Sequence, residues 1–389
     1  MRVAPLVVLL LAFLLPTGAQ AYPWMIRHHY ASCAACHTDP SGGGLITRYG
    51  RAQQELLMTM QYRERGPNED LPRRAQFLFG AVDLPEWATL AFAVRGGGIS
   101  RKADDSERVN FPVQMATDIR GHIAYENLRA GAALGYARKR AEAAQLTPGA
   151  ENTIVSREHW IGVGNEDETV LIRGGRIHIP FGLRNAEHTA WVRELTVTDT
   201  NDDQRHGVAV AFNGEGLRGE LMGIIGNLQV SPGEFREHGY SGYLEAALSP
   251  YAAVGVSSLM GRSRINEMSF KEFFLRQSHG VFARWAINKP LVLMAEADLL
   301  YGRSQTLESA NGHATFFQAD LEPVQGLHFI ATLETRRQGD SKGTGGWGSV
   351  EWFFASHSGV RFDAMLHTQT QAATTSNTVT LLAQLHFLL

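Results

Sequence analysis

From Glu86 to the C-terminus, apolar and polar residues alternate with period two in segments of about 10 to 15 residues. Val360, Phe362, Ala364 and Leu366 fall on one face of such a segment, and Arg361, Asp363, Met365 and His367 on the other. Leu327, Phe329, Ala331 and Leu333 alternate with His328, Ile330, Thr332 and Glu334. Leu291, Leu293, Ala295, Ala297, Leu299 and Tyr301 oppose a row that holds Glu296 and Asp298. In the last segment Val379, Leu381, Ala383, Leu385, Phe387 and Leu389 form the apolar row, against Thr378, Thr380, Gln384 and His386. Side chains two apart on a strand share a face, so each segment predicts a strand with one apolar and one polar side.

The connections carry a second pattern. Seven short ones lie at 125–127, 165–168, 213–216, 249–251, 288–290, 322–326 and 355–358. Longer polar stretches fall between them, near 101–107, 138–153, 180–205, 229–239, 263–277, 303–312, 337–346 and 369–377. Eight long loops and seven short turns connect 16 strands, with both ends on the short-turn side. The fold class is therefore all-β, an antiparallel transmembrane β-barrel of about 16 strands over 86–389. Bacterial outer-membrane barrels have this form, and closure leaves no backbone group unpaired in lipid. A soluble propeller or sandwich also alternates, but without long and short loops in turn. Trp87, Trp160, Trp285, Tyr301, Trp347 and Trp352 are the expected interfacial aromatics. Gly96-Gly97-Gly98 reads as a close-packing or bend feature within a strand. A barrel of this size encloses an aqueous lumen unless something fills it.

The chain before the barrel differs. Residues 1–21 read as a signal peptide: Arg2, an apolar run from Leu6 to Leu15, and a small-residue ending at Ala21. Residues 22–80 are expected to be a small segment and linker that plugs the barrel or sits at its mouth. It holds both cysteines of the chain, in Cys33-Ala34-Ala35-Cys36-His37. This C-x-x-C-H spacing is the attachment signal for a c-type haem, here one covalent haem c. Two thiols add to the two vinyl groups of the porphyrin, and His37 offers its imidazole to the iron. A redox disulfide would need a βαβ context that is missing, and zinc would need two of His28, His29 and His37 beside the cysteines. For the sixth iron position the candidates are Met25, His28, His29, Met58 and Met60, with His28 favoured because the segment leading into the motif delivers it. After the motif, Asp39-Pro40-Ser41-Gly42-Gly43-Gly44 breaks any helix and lets backbone approach a macrocycle. A short helix is expected from Tyr49 to Met60, then linker to Arg74.

Composition adds exclusions. Net charge is -3 without a basic stripe, so nucleic acid is not an expected partner. No serine–histidine–acid spacing or phosphate-binding glycine loop is present. The richest stretch of the barrel runs from Gly175 through Ile179-Pro180-Phe181-Gly182-Leu183 to Glu187 and Arg193, and opens the loop holding Asp199, Asp202 and Asp203. Its simplest reading is a rim loop with ordinary surface charges; the other is a loop folded into the pore or a cation site.

Signal peptide, one C-x-x-C-H near the mature N-terminus and a porin-sized barrel together resemble the fused monohaem cytochrome–porins of bacterial outer membranes. The motif likeness lies at Cys33, Cys36, His37 and the stretch from Gly44 to Tyr49-Gly50-Arg51. The family's Phe-Gly-Arg ending and different spacer mark this chain as a divergent branch, and Ile179 to Leu183 resembles strands of other Gram-negative porins. The resemblance implies an outer-membrane location, contact with outer-membrane lipid, and electron transfer across that membrane. The implied partners are a periplasmic electron carrier and an extracellular donor or acceptor, with ferrous iron, the substrate of the best-known members, as one donor.

Overall fold

The computed structural model describes residues 23–30, 32–62, 72–137, 153–165, 167–184, 187, 190–199, 203–229, 233–265, 272–304 and 307–388. The expected signal peptide and Asp202 lie outside them. The chain forms a closed barrel of sixteen antiparallel strands, from β1 (Ala88–Ala103) to β16 (Thr374–Leu388), each paired with its neighbour in sequence. The seam closes where Ala93 pairs with Leu388 and Ala103 with Thr378. Gly97 lies at that seam, where a Cβ would collide with the backbone carbonyl of Ala383, so the glycine run is a close-packing feature.

Alternation sets the faces. Leu221, Leu333 and Leu366 are each more than 60% exposed on the outer wall, while Asp320, His328 and Glu334 are buried inside. An apolar exterior around a polar interior is the arrangement that a lipid bilayer requires of a strand-built span. All seven short turns form. Three of the expected long loops do not: pairing runs on to Ser304 with Leu307, Gln338 with Ser341, and Gln371 with Thr374. The polar residues there belong to strands that outrun the apolar belt, so strand length reaches 18 residues in β12 (Leu307–Val324).

Two expected interfacial aromatics turn inward. Trp87, Trp285, Tyr301 and Trp352 are exposed on the outside, but Trp160 and Trp347 are buried. Parity explains this. Trp160 shares its face of β4 (Thr153–Gly164) with Glu158, and Trp347 shares its face of β14 (Ser341–Ala355) with Glu351.

Two segments occupy the interior. The N-terminal one begins with a 3-10 turn, Pro23–His28, in which Trp24, Met25, Ile26 and Arg27 are all buried. Arg27 bonds Asp320 at 2.5 Å and Glu322 at 2.7 Å on the inner face of β12. The helix α1 (Arg48–Gln53), capped by Thr47, runs into a π-turn, Gln54–Met58, where the sequence predicted one helix. The tail then docks on the short turns. Gln325 donates to the carbonyls of Leu56 and Thr59, Met60 N–H donates to Phe353, and Tyr62 O–H donates to Phe354. Gly326 sits at φ 81°, where a Cβ would lie 2.6 Å from the Met58 carbonyl.

The second interior segment is the 180–205 stretch. It is no rim loop, and Ile179 to Leu183 is not strand. Ile179, Phe181, Leu183, Trp191 and Val192 are buried in the lumen, and the stretch carries the helix α2 (Trp191–Thr196). Leu183 N–H donates to Glu296, Trp191 N–H donates to Glu334, and Arg193 pairs with Glu296. The acidic inner faces of β11 (Leu291–Ser304) and β13 (Leu327–Gln338) therefore pull the loop in.

Candidate functional site

The motif Cys33–His37 forms a single helical turn. The Cys33 carbonyl accepts from Cys36 N–H at 3.2 Å and His37 N–H at 3.0 Å. Residues three and four apart on such a turn share a face, so both thiols and the imidazole start from one side of it. Both cysteines are buried and unbridged. An antiparallel bridge between His37 and Ile46, with Thr38 donating to Leu45 and Thr47 to Cys36, closes the loop that follows.

That loop is clamped to the wall. Asp39 Oδ1 accepts from Ser41 N–H at 2.9 Å, from the Ser41 hydroxyl at 2.7 Å and from Arg173 at 3.1 Å. The Pro40 carbonyl accepts from Tyr243 at 3.2 Å and Arg218 at 3.3 Å. Ser41 accepts from Arg184 at 2.7 Å, and the Gly44 carbonyl accepts from Arg120 at 2.9 Å. Arg120, Arg173 and Arg218 and Tyr243 come from β2 (Val109–Tyr125), β5 (Val170–Ile177), β7 (Leu217–Gly226) and β8 (His238–Ser249). Each lies within six residues of its short-turn end, so the loop sits in the half of the lumen nearest those turns. Arg173 is shared with Glu220 at 2.7 Å, and Arg218 pairs with Glu245. Burial pushes the Asp39 carboxyl up, but Arg173, Arg184 and the Ser41 hydrogen bonds outweigh it and hold the group below the usual carboxylate range.

Two thiols and an imidazole at C-x-x-C-H spacing fit a c-type haem in chemistry. Gly42 at φ 103° lies against Cys33, and a Cβ there would stand 2.8 Å from Sγ, so this position is kept bare beside the thiol. The zinc alternative fits less well. Among the described residues, the groups of three or more candidate ligands include neither cysteine.

His28 stands apart from the motif. It lines a cleft of about 710 Å³ with Tyr30, Leu57, Tyr251, Trp285 and Lys289, and none of Cys33, Cys36 or His37 lines it. Burial, then Arg27 and Lys289, lower its imidazole to about 4, so the ring is neutral at neutral pH, and Nε2 has no hydrogen-bond partner. Of the other candidates, Met25 and Met58 pack in the apolar core, Met60 Sδ accepts from Trp352 at 3.3 Å, and the His29 ring lies 4.7 Å from Tyr251.

Sequence reasoning passed over a second cluster. Asp39, Glu158 and His178 are all buried, and one ligand atom from each lies within 4.8 Å of the others. Burial lowers His178 to about 3 although Asp39 opposes it, which keeps the ring neutral. The available signal was parity: Glu158 is two residues from inward Trp160, while Ile161 and Val163 face out.

No protein-family model and no curated protein matches the chain. Solved structures do. OmpT of Vibrio cholerae, expressed in the outer membrane, superposes with TM-score 0.58 at 10% identity over 79% of this chain and 100% of that one. An anion-selective porin from Comamonas acidovorans gives 0.57 at 10% identity over 77% and 100%. The outer-membrane channel DcaP of Acinetobacter baumannii gives 0.53 at 10% identity over 77% and 97%. The fold is that of a porin-like bacterial outer-membrane β-barrel.

Proposed function

We propose that this barrel carries one covalent haem c and passes single electrons between a periplasmic carrier and an extracellular donor or acceptor. Cys33 and Cys36 would hold the porphyrin and His37 would be the proximal ligand. The observation that carries the reading is the seat of the C-x-x-C-H turn: a loop inside the lumen, fixed to four strands of the wall. Haem iron supplies one-electron chemistry, and the protein sets its potential, access and orientation. A seat inside the lumen supports this use, because a haem outside one face would stand a full apolar thickness, about 30 Å, from the other. As distal ligand, His28 would require the 23–30 segment to carry its neutral Nε2 toward the motif. With a haem held by Cys33, Cys36 and His37, ferrous iron, a one-electron donor, is one external donor whose chemistry the group would match.

A diffusion porin whose haem-bearing segment is a plug is the second reading, and likeness to porins favours it. Planar-bilayer conductance with a redox titration of the purified chain separates the two. A low-spin haem that cycles by one electron, in a barrel of low conductance, supports transfer. A wide ohmic pore that ignores haem redox state supports the porin. In His28→Ala, a change from low-spin to high-spin absorption identifies the distal ligand, and an unchanged spectrum removes His28 from the site.

A further inference from the structure

We infer that Asp39, Glu158 and His178 form a binding site for a divalent first-row transition-metal ion, bridging the plug loop to the barrel wall. The three side chains come from three places: the loop after the motif, the inner face of β4, and the residue that follows β5. Their ligand atoms lie within 4.8 Å of one another. Donors around such an ion at roughly 2.0–2.2 Å stand about 3–4 Å apart, so a small closure completes the set.

The division of labour at Asp39 argues for an ion. Oδ1 takes every hydrogen bond the carboxylate makes, from Ser41 and Arg173, while Oδ2 is buried without a partner. Glu158 Oε2 is likewise buried without a hydrogen bond, 3.6 Å from His178 Nε2. Two unsatisfied carboxylate oxygens in one buried place are costly unless something positive meets them. The nearest guanidinium groups make no hydrogen bond to either oxygen: Arg173 bonds Oδ1 and Glu220, Arg184 bonds Ser41 and the Ile179 carbonyl, and Arg120 bonds Asp118 and the Gly44 carbonyl, although each keeps at least one buried N–H without a partner. Gln204 lies 3.5 Å from His178 Nδ1 and steadies the ring from its far side, leaving Nε2 toward Glu158. Gly43 borders the place: a Cβ there would sit 3.6 Å from the His178 ring and 3.9 Å from Asp39 Oδ2, at ordinary contact distance.

One imidazole and two carboxylates suit Mn²⁺, Fe²⁺, Co²⁺ or Zn²⁺ rather than a soft ion that wants thiolate. Three protein ligands leave coordination positions open, and the flanking arginines weaken the hold on any dication, so the ion is an exchangeable one. The site does not depend on haem. It would staple the plug to the wall in either reading of function.

The test uses the full chain, folded in detergent, with Mn²⁺ as probe. Titration followed by electron paramagnetic resonance should show one ion per chain in the wild type. Glu158→Gln and His178→Phe should each weaken binding at least tenfold, while Asp203→Asn should not. Heat-modifiable mobility on gels reports whether each variant still forms the barrel. If a variant fails to fold, the wild type alone decides: nitrogen modulation of the bound Mn²⁺ echo by one histidine supports the site. Absence of that modulation, binding that survives Glu158→Gln in a folded barrel, or no bound Mn²⁺ overturns it.

Discussion

Arg27 holds the first turn of the plug through two buried ion pairs, to Asp320 and Glu322. Removing one partner of such a pair leaves buried charge uncompensated and costs about 3–5 kcal/mol, far more than a surface pair is worth. In Arg27→Ala the plug should therefore loosen while the barrel stays closed, because no strand pairing uses Arg27. Single-channel conductance should rise and residues 23–62 should become sensitive to protease; unchanged conductance would place the anchor elsewhere. The same scale holds a pH dependence. A histidine whose folded value is lowered to about 4 stabilises the seated plug above its unfolded value near 6.5. That contribution falls as pH drops from about 6.5 to about 4, since the released segment takes a proton that the seated one refuses. Asp39 has a folded value below its unfolded value near 3.9. Its contribution is complete above that value and is lost below it as the carboxyl protonates. Conductance measured against pH should thus rise in two stages, and His28→Ala should diminish the upper one, to which His178, lowered to about 3, also contributes. An upper stage unchanged in His28→Ala would show that His28 does not report on the plug.

Elements differ in how far the sequence reveals them. Strand faces follow from parity alone, which places Asp363 inward and Leu366 outward without any contact being known. Parity also sends Trp160 and Trp347 inward, although aromatic identity by itself suggests a girdle. The inward course of the 180–205 loop was not legible in the same way. It rests on Arg193 meeting Glu296 and on Leu183 and Trp191 donating to Glu296 and Glu334, over sequence separations above 100 residues that no local pattern encodes. The three extended hairpins looked like loops because polar strand outside lipid has the composition of a loop. For the inward loop, Gly182 is decisive. At φ 60°, a Cβ would collide with the Glu296 carboxylate and the Arg193 guanidinium. Gly182→Ala should unseat the loop at a cost of about 1–3 kcal/mol from strain alone and widen the pore. Larger conductance with unchanged heat stability of the barrel is the expected result; wild-type conductance would show that the loop does not set the constriction.

At the scale of the whole molecule, a lipid-facing barrel is filled from two directions, by the N-terminal segment on the short-turn side and by the long loop. Both are held by arginine–carboxylate pairs on the inner wall. The same alternation that builds the outer surface supplies those pairs, since every second residue must face a lumen that lipid never reaches. The C-x-x-C-H spacing could be read without a structure. Its seat could not, because Arg120, Arg173, Arg218 and Tyr243 meet Asp39-to-Gly44 only after the barrel closes.

Mass spectrometry and redox-monitored absorption of the chain purified from a cytochrome-maturing bacterium's outer membrane test the central claim most directly. One covalent haem per chain, lost in Cys33→Ala/Cys36→Ala with the barrel still folded, is the predicted result. A native chain that carries no covalent haem would contradict it.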